Sequence, residues 1–246
     1  MARVQSNDFR GAIEDFQRVV ELDPDQAASA LSNRARCRAM LGDLEGALAD
    51  FARALEIDPR HSFTYANRGM IRRDAGDLRE ALADFDRAVD LEPDEPDYRI
   101  DRGLLRLRLG DAPGAREDLD RAIERGVRTA EVHHARGLAR KLTGDAARAR
   151  EDLDEALRLE PARAGAWFDR SHLRFEAGDL EGALADLDRT VTLAPEVWTG
   201  WSDRGVVLAR LGRREEAARS FARALDTCPA DVRSHVERTR DGALGR

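Results

Sequence analysis

The residues of this chain whose types could support chemistry together are His134, His172 and Asp169. Imidazole and carboxylate groups are zinc ligands, but their number here falls short of the four that a structural zinc site takes. Histidines on a solvated helix face are also common. The sequence contains no glycine-rich phosphate loop and no supported Ser/His/Asp or Cys/His set. We therefore expect no metal, no cofactor and no enzymatic activity, and metal-dependent thermal stabilisation would contradict this expectation.

Composition and charge exclude further classes of function. The 48 acidic and 41 basic residues are interleaved and leave a net charge of −7, which does not favour nucleic-acid binding. Cys37 and Cys228 stand alone, so neither a disulfide nor a zinc site is expected. No apolar run has signal-peptide or membrane-spanning length, so we expect a soluble, cytoplasmic protein without a membrane partner. Among the bases only Lys141 is a lysine, which we interpret as the mark of a GC-rich, bacterial genome.

A 34-residue period runs through the chain and defines the helices that carry these residues. Prolines mark the period at Pro24, Pro59, Pro93, Pro161, Pro195 and Pro229. One proline is missing near Val127, where Gly126 can end a helix instead. The period defines six units: 28–61, 62–95, 96–129, 130–163, 164–197 and 198–231. Each unit contains two amphipathic helices joined by a glycine turn, usually Gly-Asp, in which aspartate can cap the second helix.

Small and large residues recur at fixed positions of this period. Position 8 carries Ala35, Gly69, Gly103, Gly137, Ser171 and Gly205, and position 20 is always alanine. Position 24 carries Phe51, Phe85, Leu119, Leu153, Leu187 and Phe221. With alanine or threonine at position 27 and the closing proline, this pattern resembles the tetratricopeptide repeat family. The resemblance implies an all-α fold, a right-handed α-solenoid of helix-turn-helix repeats, and a scaffold or adaptor that binds a protein or peptide in its concave groove.

The two ends differ from the six repeats. Residues 1–27 match mainly the second helix of a repeat, with only Met1 to Ser6 left of the first. Residues 232–246 are predicted to form a polar capping helix and tail. A solenoid needs polar caps, so the open N-terminal edge leaves self-association as one expectation. An alternative is that the chain is a regulatory or substrate-recruiting module split from a larger multidomain protein or enzyme.

Arginine replaces the usual leucine at position 7 of every repeat. Buried guanidinium groups need acids, and aspartate recurs at position 23. The leading half-unit has Asp15 without an arginine, and the last repeat has Arg204 without an aspartate. We therefore predict a ladder of structural ion pairs across each repeat boundary: Asp15–Arg34, Asp50–Arg68, Asp84–Arg102, Asp118–Arg136, Asp152–Arg170 and Asp186–Arg204. Arginine at position 11 is more weakly matched with aspartate at position 25 of the same repeat.

The resemblance also implies a binding face made by the first helix of each repeat. Position 6 on this face carries Asn33 and Asn67, then Asp101, Asp169 and Asp203. In relatives that bind extended peptides, asparagines here bond the peptide backbone, because an amide both donates and accepts. We expect a peptide held by amides at one end and acids at the other, basic toward the C-terminal half of the groove. Phe168 and Phe175 are the expected apolar anchors. The alternative is that these polar residues only solvate a helix face.

Overall fold

The computed structural model describes residues 8–245, which form fourteen α-helices and no strand. The expected remnant of a first helix at Met1 to Ser6 lies outside the described residues. The chain divides into two compact units, an N-terminal unit that ends at Val127 and a C-terminal unit that begins at Arg128. The N-terminal helices are α1 (Phe9–Leu22), α2 (Ala27–Met40), α3 (Leu44–Ile57), α4 (Ser62–Ala75), α5 (Leu78–Leu91), α6 (Pro96–Arg108) and α7 (Ala112–Glu124), with a 3-10 turn at Pro24–Gln26. The C-terminal helices are α8 (Ala130–Leu142), α9 (Ala146–Leu159), α10 (Ala164–Glu176), α11 (Leu180–Leu193), α12 (Trp198–Arg210), α13 (Arg214–Thr227) and α14 (Arg233–Leu244).

The predicted glycine turns separate the two helices of each hairpin. Gly42 has φ +83°, a left-handed conformation that favours glycine. The side chain of Asp43 then accepts a hydrogen bond from the backbone N–H of Gly46 at 2.9 Å, which caps α3. Gly126, with φ +95°, follows α7 at the point where the periodic proline is missing. The helix and turn assignments from the sequence are therefore confirmed.

Within each hairpin, the small residue at position 8 allows close contact between the two helices. A Cβ atom on Gly69 would lie 3.0 Å from the ring of Phe85, and one on Gly103 would lie 3.2 Å from Leu119 and 3.3 Å from Cβ of Asp118. The position-24 side chains themselves are almost completely buried. The hairpin core is thus built from the residues that define the repeat.

This close contact also decides the arginine pairing, and the predicted ladder across repeat boundaries is wrong. Five of the six position-7 arginines bond the position-23 aspartate of their own hairpin, with Nε–Oδ2 distances of 2.8 to 3.0 Å. The aspartate lies beside the position-8 residue, directly opposite the arginine, so the nearest carboxylate is sixteen residues ahead in the same hairpin. The observed pairs are Arg34–Asp50, Arg68–Asp84, Arg102–Asp118, Arg136–Asp152 and Arg170–Asp186.

The arginines at position 11 bond the same position-23 carboxylates. Arg72 Nη1 donates to Asp84 Oδ2 at 2.7 Å, and Arg106 Nη1 donates to Asp118 Oδ2 at 2.8 Å. The weaker match of position 11 with position 25 of the same repeat is therefore also wrong. Each buried aspartate is held by two arginines of the preceding helix, which compensates the cost of removing its charge from water.

A second contact links an arginine to the preceding hairpin through position 25. Arg102 Nη1 donates to Asp86 at 2.9 Å, and Arg170 Nη1 donates to Asp154 at 2.6 Å. Neutral groups complete the pattern at the ends of the series. Arg34 bonds Gln17 of α1. Arg204 bonds Asp188 of the preceding hairpin and the hydroxyl of Ser220 in its own, each at 2.6 Å.

Candidate functional site

The first helices of the C-terminal unit carry a continuous polar chain. His134 on α8 bonds Asp169 on α10, with Nε2–Oδ2 2.9 Å. Lys141 Nζ bonds both Asp169 Oδ1 at 3.0 Å and His172 Nδ1 at 3.1 Å. His172 Nε2 then bonds Asp203 Oδ2 on α12 at 2.8 Å. The predicted acids Asp169 and Asp203 are therefore joined through the lysine and the two histidines.

The chemistry of the lysine fixes the direction of these hydrogen bonds. An ammonium group only donates, so Nδ1 of His172 accepts and its Nε2–H donates to Asp203. Burial raises the pKa of Asp169, but the hydrogen bond from His134 and the charge of Lys141 outweigh it and leave this pKa below its ordinary value. The side chain of Asp169 is only 15% exposed, whereas that of Asp203 is 37% exposed. Of these two acids, Asp203 is thus the more accessible.

The same arrangement does not form a metal centre. The two histidines bond different carboxylates, and Lys141 lies between them. Over the described residues, no group of three or more His, Cys, Asp and Glu side chains is placed to hold one ion. Both cysteines are free thiols. Burial raises the pKa of the Cys37 thiol, which does not favour a reactive thiolate.

The predicted aromatic anchors lie beside this polar chain and are partly buried. The ring of Phe168 meets that of His172 edge to face, with 4.4 Å between centroids. Phe175 has the guanidinium of Arg210 5.2 Å above its ring. Phe175 also lines a pocket of about 270 Å³, whose wall includes Asp203 and Val206. Of the two anchors, Phe175 is the one that lines this pocket.

In the N-terminal unit, the two predicted asparagines point back to their own helices. Asn33 Nδ2 donates to the carbonyl of Ser29 at 2.9 Å, and Asn67 Nδ2 donates to that of Phe63 at 2.6 Å. Asn67 is only 2% exposed. Asp101 Oδ1 accepts from Arg73 Nη1 at 3.2 Å. The acids and amides of the predicted ladder are therefore present on one face but already hold bonds within the protein.

An apolar groove on this face is the feature that the sequence interpretation missed. Its volume is about 770 Å³, within the range of ligand-binding pockets. Met40, Leu44 and Phe63 are 67%, 43% and 38% exposed, respectively. We call it the α2–α4 groove, and it is lined by Phe9, Asn33, Arg36, Cys37, Ala39, Met40, Leu44, Phe63, Asn67, Met70, Ile71, Arg73, Asp74 and Ala75.

The charged residues of the α2–α4 groove differ in their partners. Arg73 bonds Asp74 and Asp101, at 2.9 and 3.2 Å. Arg36 stacks on Phe63, with its guanidinium carbon 5.6 Å from the ring centroid. Within residues 8–245, no carboxylate lies within ion-pair distance of Arg36. The groove therefore has one cation on its α2 rim without an acidic partner.

A signal for this groove was present in the sequence. Phe63, Met70 and Met40 occupy positions 2, 9 and 13, which belong to the same helical face as the predicted ladder. The polar residues at position 6 lie on the same face, so the apolar character of the groove does not stand out in the sequence. The two methionines of the described chain both line the groove.

None of the helices that the structure describes is long and apolar enough to cross a bilayer.

Comparisons with known proteins agree with this architecture. Several solved structures are similar: the Cut9–Hcn1 hetero-tetramer of the APC/C (TM-score 0.73, 15% identity, 97% of this chain and 46% of that chain), PilF of Pseudomonas aeruginosa (0.70, 18%, 87% and 98%) and YrrB, described as a TPR protein with an unusual peptide-binding site (0.61, 20%, 76% and 97%). At these identities the likeness shows the fold alone. No curated protein matches the sequence.

Family models match the sequence along most of its length. One model described as tetratricopeptide repeat matches residues 1–62, 134–196 and 168–232, and a second with the same description matches residues 71–140. The first alone spans more than half of the chain, and the matches agree with the helical hairpins described above. The chain therefore belongs to the tetratricopeptide repeat family.

Proposed function

We propose that this protein is an interaction scaffold that binds a segment of a partner protein on the faces of its first helices. The observation that carries the proposal is the α2–α4 groove, where Met40, Leu44 and Phe63 are exposed around a cavity of about 770 Å³. Apolar side chains that cluster on a concave surface favour binding of a ligand that removes them from water. The peptide-binding site named for YrrB supports the same kind of ligand.

The C-terminal unit offers a second contact with different chemistry. Asp203 is 37% exposed and lines the pocket that also contains Phe175 and Val206. A lysine or arginine of the partner could lay its aliphatic stem along these apolar walls and place its charge at Asp203. This arrangement supports a partner that is basic where it meets the C-terminal unit.

Binding, rather than catalysis, is the proposed activity. The side chains that could take part in acid–base catalysis are those of His134, His172 and Lys141. Each of them is held by an acid or by another of the three. The unpaired thiols Cys37 and Cys228 support a reducing compartment such as the cytoplasm.

The proposal can be tested by comparing three forms of the full chain as bait in extracts of its native cells. Met40→Gln/Leu44→Gln makes the wall of the groove polar while keeping the size of Met40 nearly constant. Leu22→Gln is the matched control, because Leu22 is 82% exposed and does not line the groove. We expect wild type and Leu22→Gln to recover the same partners in equal amounts. The double variant should recover these partners at least about tenfold less well, which corresponds to an affinity loss of about 1.4 kcal/mol. Equal recovery by all three forms would reject the groove as the binding site.

A further inference from the structure

The asparagines of the α2–α4 groove bear on the conformation of the ligand. Asn33 donates to the carbonyl of Ser29, and Asn67 donates to that of Phe63 while only 2% exposed. An extended segment carries unpaired backbone N–H and C=O groups, which need polar partners when they leave water. The groove walls between these residues are mainly apolar. Asn67 is too buried to reach a ligand, and the remaining N–H and carbonyl of Asn33 would replace only a few of the hydrogen bonds to water that an extended ligand loses.

A helical ligand does not have this difficulty, because its backbone groups bond one another. We propose that the α2–α4 groove takes an amphipathic helix of a partner protein, and that this helix carries an acidic residue opposite Arg36. The inference rests on the proposed function and names the class of partner. Helices that dock in grooves present apolar side chains at positions i, i+3, i+4 and i+7, and need apolar walls rather than polar ladders.

The walls of the groove fit such a ligand. Met40 and Met70 lie on the two helices that flank it, and unbranched methionine side chains adapt to differently shaped apolar surfaces. Phe9 and Leu44 add apolar surface from α1 and α3. Four helices therefore contribute to one apolar depression, which suits several side chains of one helix face.

Charge complementarity to Arg36 favours an acidic residue on the ligand. Arg73 on the α4 rim already bonds Asp74 and Asp101. Arg36 on the α2 rim only stacks on Phe63, so its donors have no carboxylate within the described part of the chain. An acid on the ligand would form a charge-assisted hydrogen bond there, next to the apolar contact.

A library of random 16-residue peptides displayed on phage tests the inference against the wild-type full chain. Counter-selection on Met40→Gln/Leu44→Gln removes peptides that bind elsewhere. We expect the remaining peptides to repeat apolar residues with a 3.6-residue period and to contain Asp or Glu beside them. Peptides that are proline-rich, or that alternate apolar and polar residues, would overturn the helical ligand but leave the proposed function standing. Failure to enrich any groove-dependent peptide would count against both.

Variants then separate the two parts of the inference. Proline in the middle of an enriched peptide should weaken binding at least about tenfold, and alanine at the same place should not. Asn33→Ala should change affinity by less than about twofold, whereas an extended ligand held by the amide would bind clearly more weakly. Arg36→Glu should favour the same peptide with its acid replaced by lysine. No effect of Arg36→Glu would reject the acidic residue, and a dimer lost in Met40→Gln/Leu44→Gln would assign the groove to a second copy of the chain.

Discussion

Arg68 binds the carboxylate of Asp84 through two parallel hydrogen bonds, Nε–Oδ2 at 2.9 Å and Nη2–Oδ1 at 2.6 Å. Arg72, one turn further along α4, adds a third bond to the same carboxylate at 2.7 Å. The side chain of Asp84 is only 4% exposed. A buried carboxylate with two arginines is costly to break, because removing it leaves two guanidinium groups without an acid.

Asp84→Ala should therefore lower the free energy of unfolding by roughly 3–5 kcal/mol. Asp86→Ala is the matched control on the same helix, since Asp86 is 44% exposed and should cost less than about 1 kcal/mol. Chemical denaturation followed by circular dichroism measures both. Similar losses for the two variants would contradict the importance of the buried pair.

A new link between neighbouring hairpins can be added at Ala52. This residue lies sixteen positions before Arg68, the spacing at which Asp86 meets Arg102 and Asp154 meets Arg170. Ala52 is exposed, and Nε and Nη2 of Arg68 bond Asp84. Compared with Ala52→Asn, which has a similarly low helix propensity but no charge, Ala52→Asp should be more stable by up to about 1 kcal/mol.

This difference between the two variants should disappear when both are made in the Arg68→Lys background. It should also shrink as salt is raised, because an exposed pair is screened. A gain that persists in the Arg68→Lys background would show that it does not come from the intended pair.

The pH dependence of stability should report on Asp169. Its pKa is depressed in the folded protein, so the stability it contributes is present above the ordinary carboxyl pKa and is lost as the pH falls through the lower folded value. The difference in unfolding free energy between wild type and Asp169→Asn should therefore be largest near neutral pH and shrink in acid. Lys141→Met should move the pKa of Asp169 upward, which carbon-detected NMR titration measures. An unchanged pKa would contradict the role of the lysine.

One substitution should have opposite effects at two glycines. Gly69→Ala places a methyl group 3.0 Å from the ring of Phe85, so it should destabilise the protein by about 1–3 kcal/mol. Gly242 lies inside α14 with no atom within 4 Å of an added Cβ, so Gly242→Ala should stabilise by up to about 1 kcal/mol. Thermal unfolding of the two variants tests the close contact at position 8, and equal shifts of the same sign would contradict it.

The sequence was sufficient for the helices because prolines, glycine turns and small residues each obey one period. It was insufficient for the ion pairs because the charges at the two ends of the series favour pairing across the boundaries. Asp15 has no position-7 arginine in its own unit and Arg204 has no position-23 aspartate, but neutral groups also serve as partners. Gln17 accepts from Arg34, and Ser220 bonds Arg204. The pairing depends on the short distance between the two helices of a hairpin, which the sequence does not reveal.

The sequence predicted only part of the candidate site, again because it does not reveal distances between side chains. The sequence places Asn33 and Asn67 on the helix face that borders the α2–α4 groove, but it does not show that their amides turn back to their own helices. The α2–α4 groove depends on how far Met40 and Phe63 stand from neighbouring side chains, which follows only from packing. Residue type and period locate a face, while depth and exposure require coordinates.

The pairing of five position-7 arginines with aspartates of their own hairpins also bears on how such a chain can change length. Removing or duplicating a complete 34-residue unit such as 62–95 takes Arg68, Arg72 and Asp84 together. Each buried carboxylate keeps both of its arginines in every copy, and only the exposed contact through position 25 changes. Pairing across the boundaries would instead have made each buried pair depend on a residue of the neighbouring repeat. The hairpin therefore carries its own buried ion pairs, and gain or loss of repeats by recombination strands no buried carboxylate.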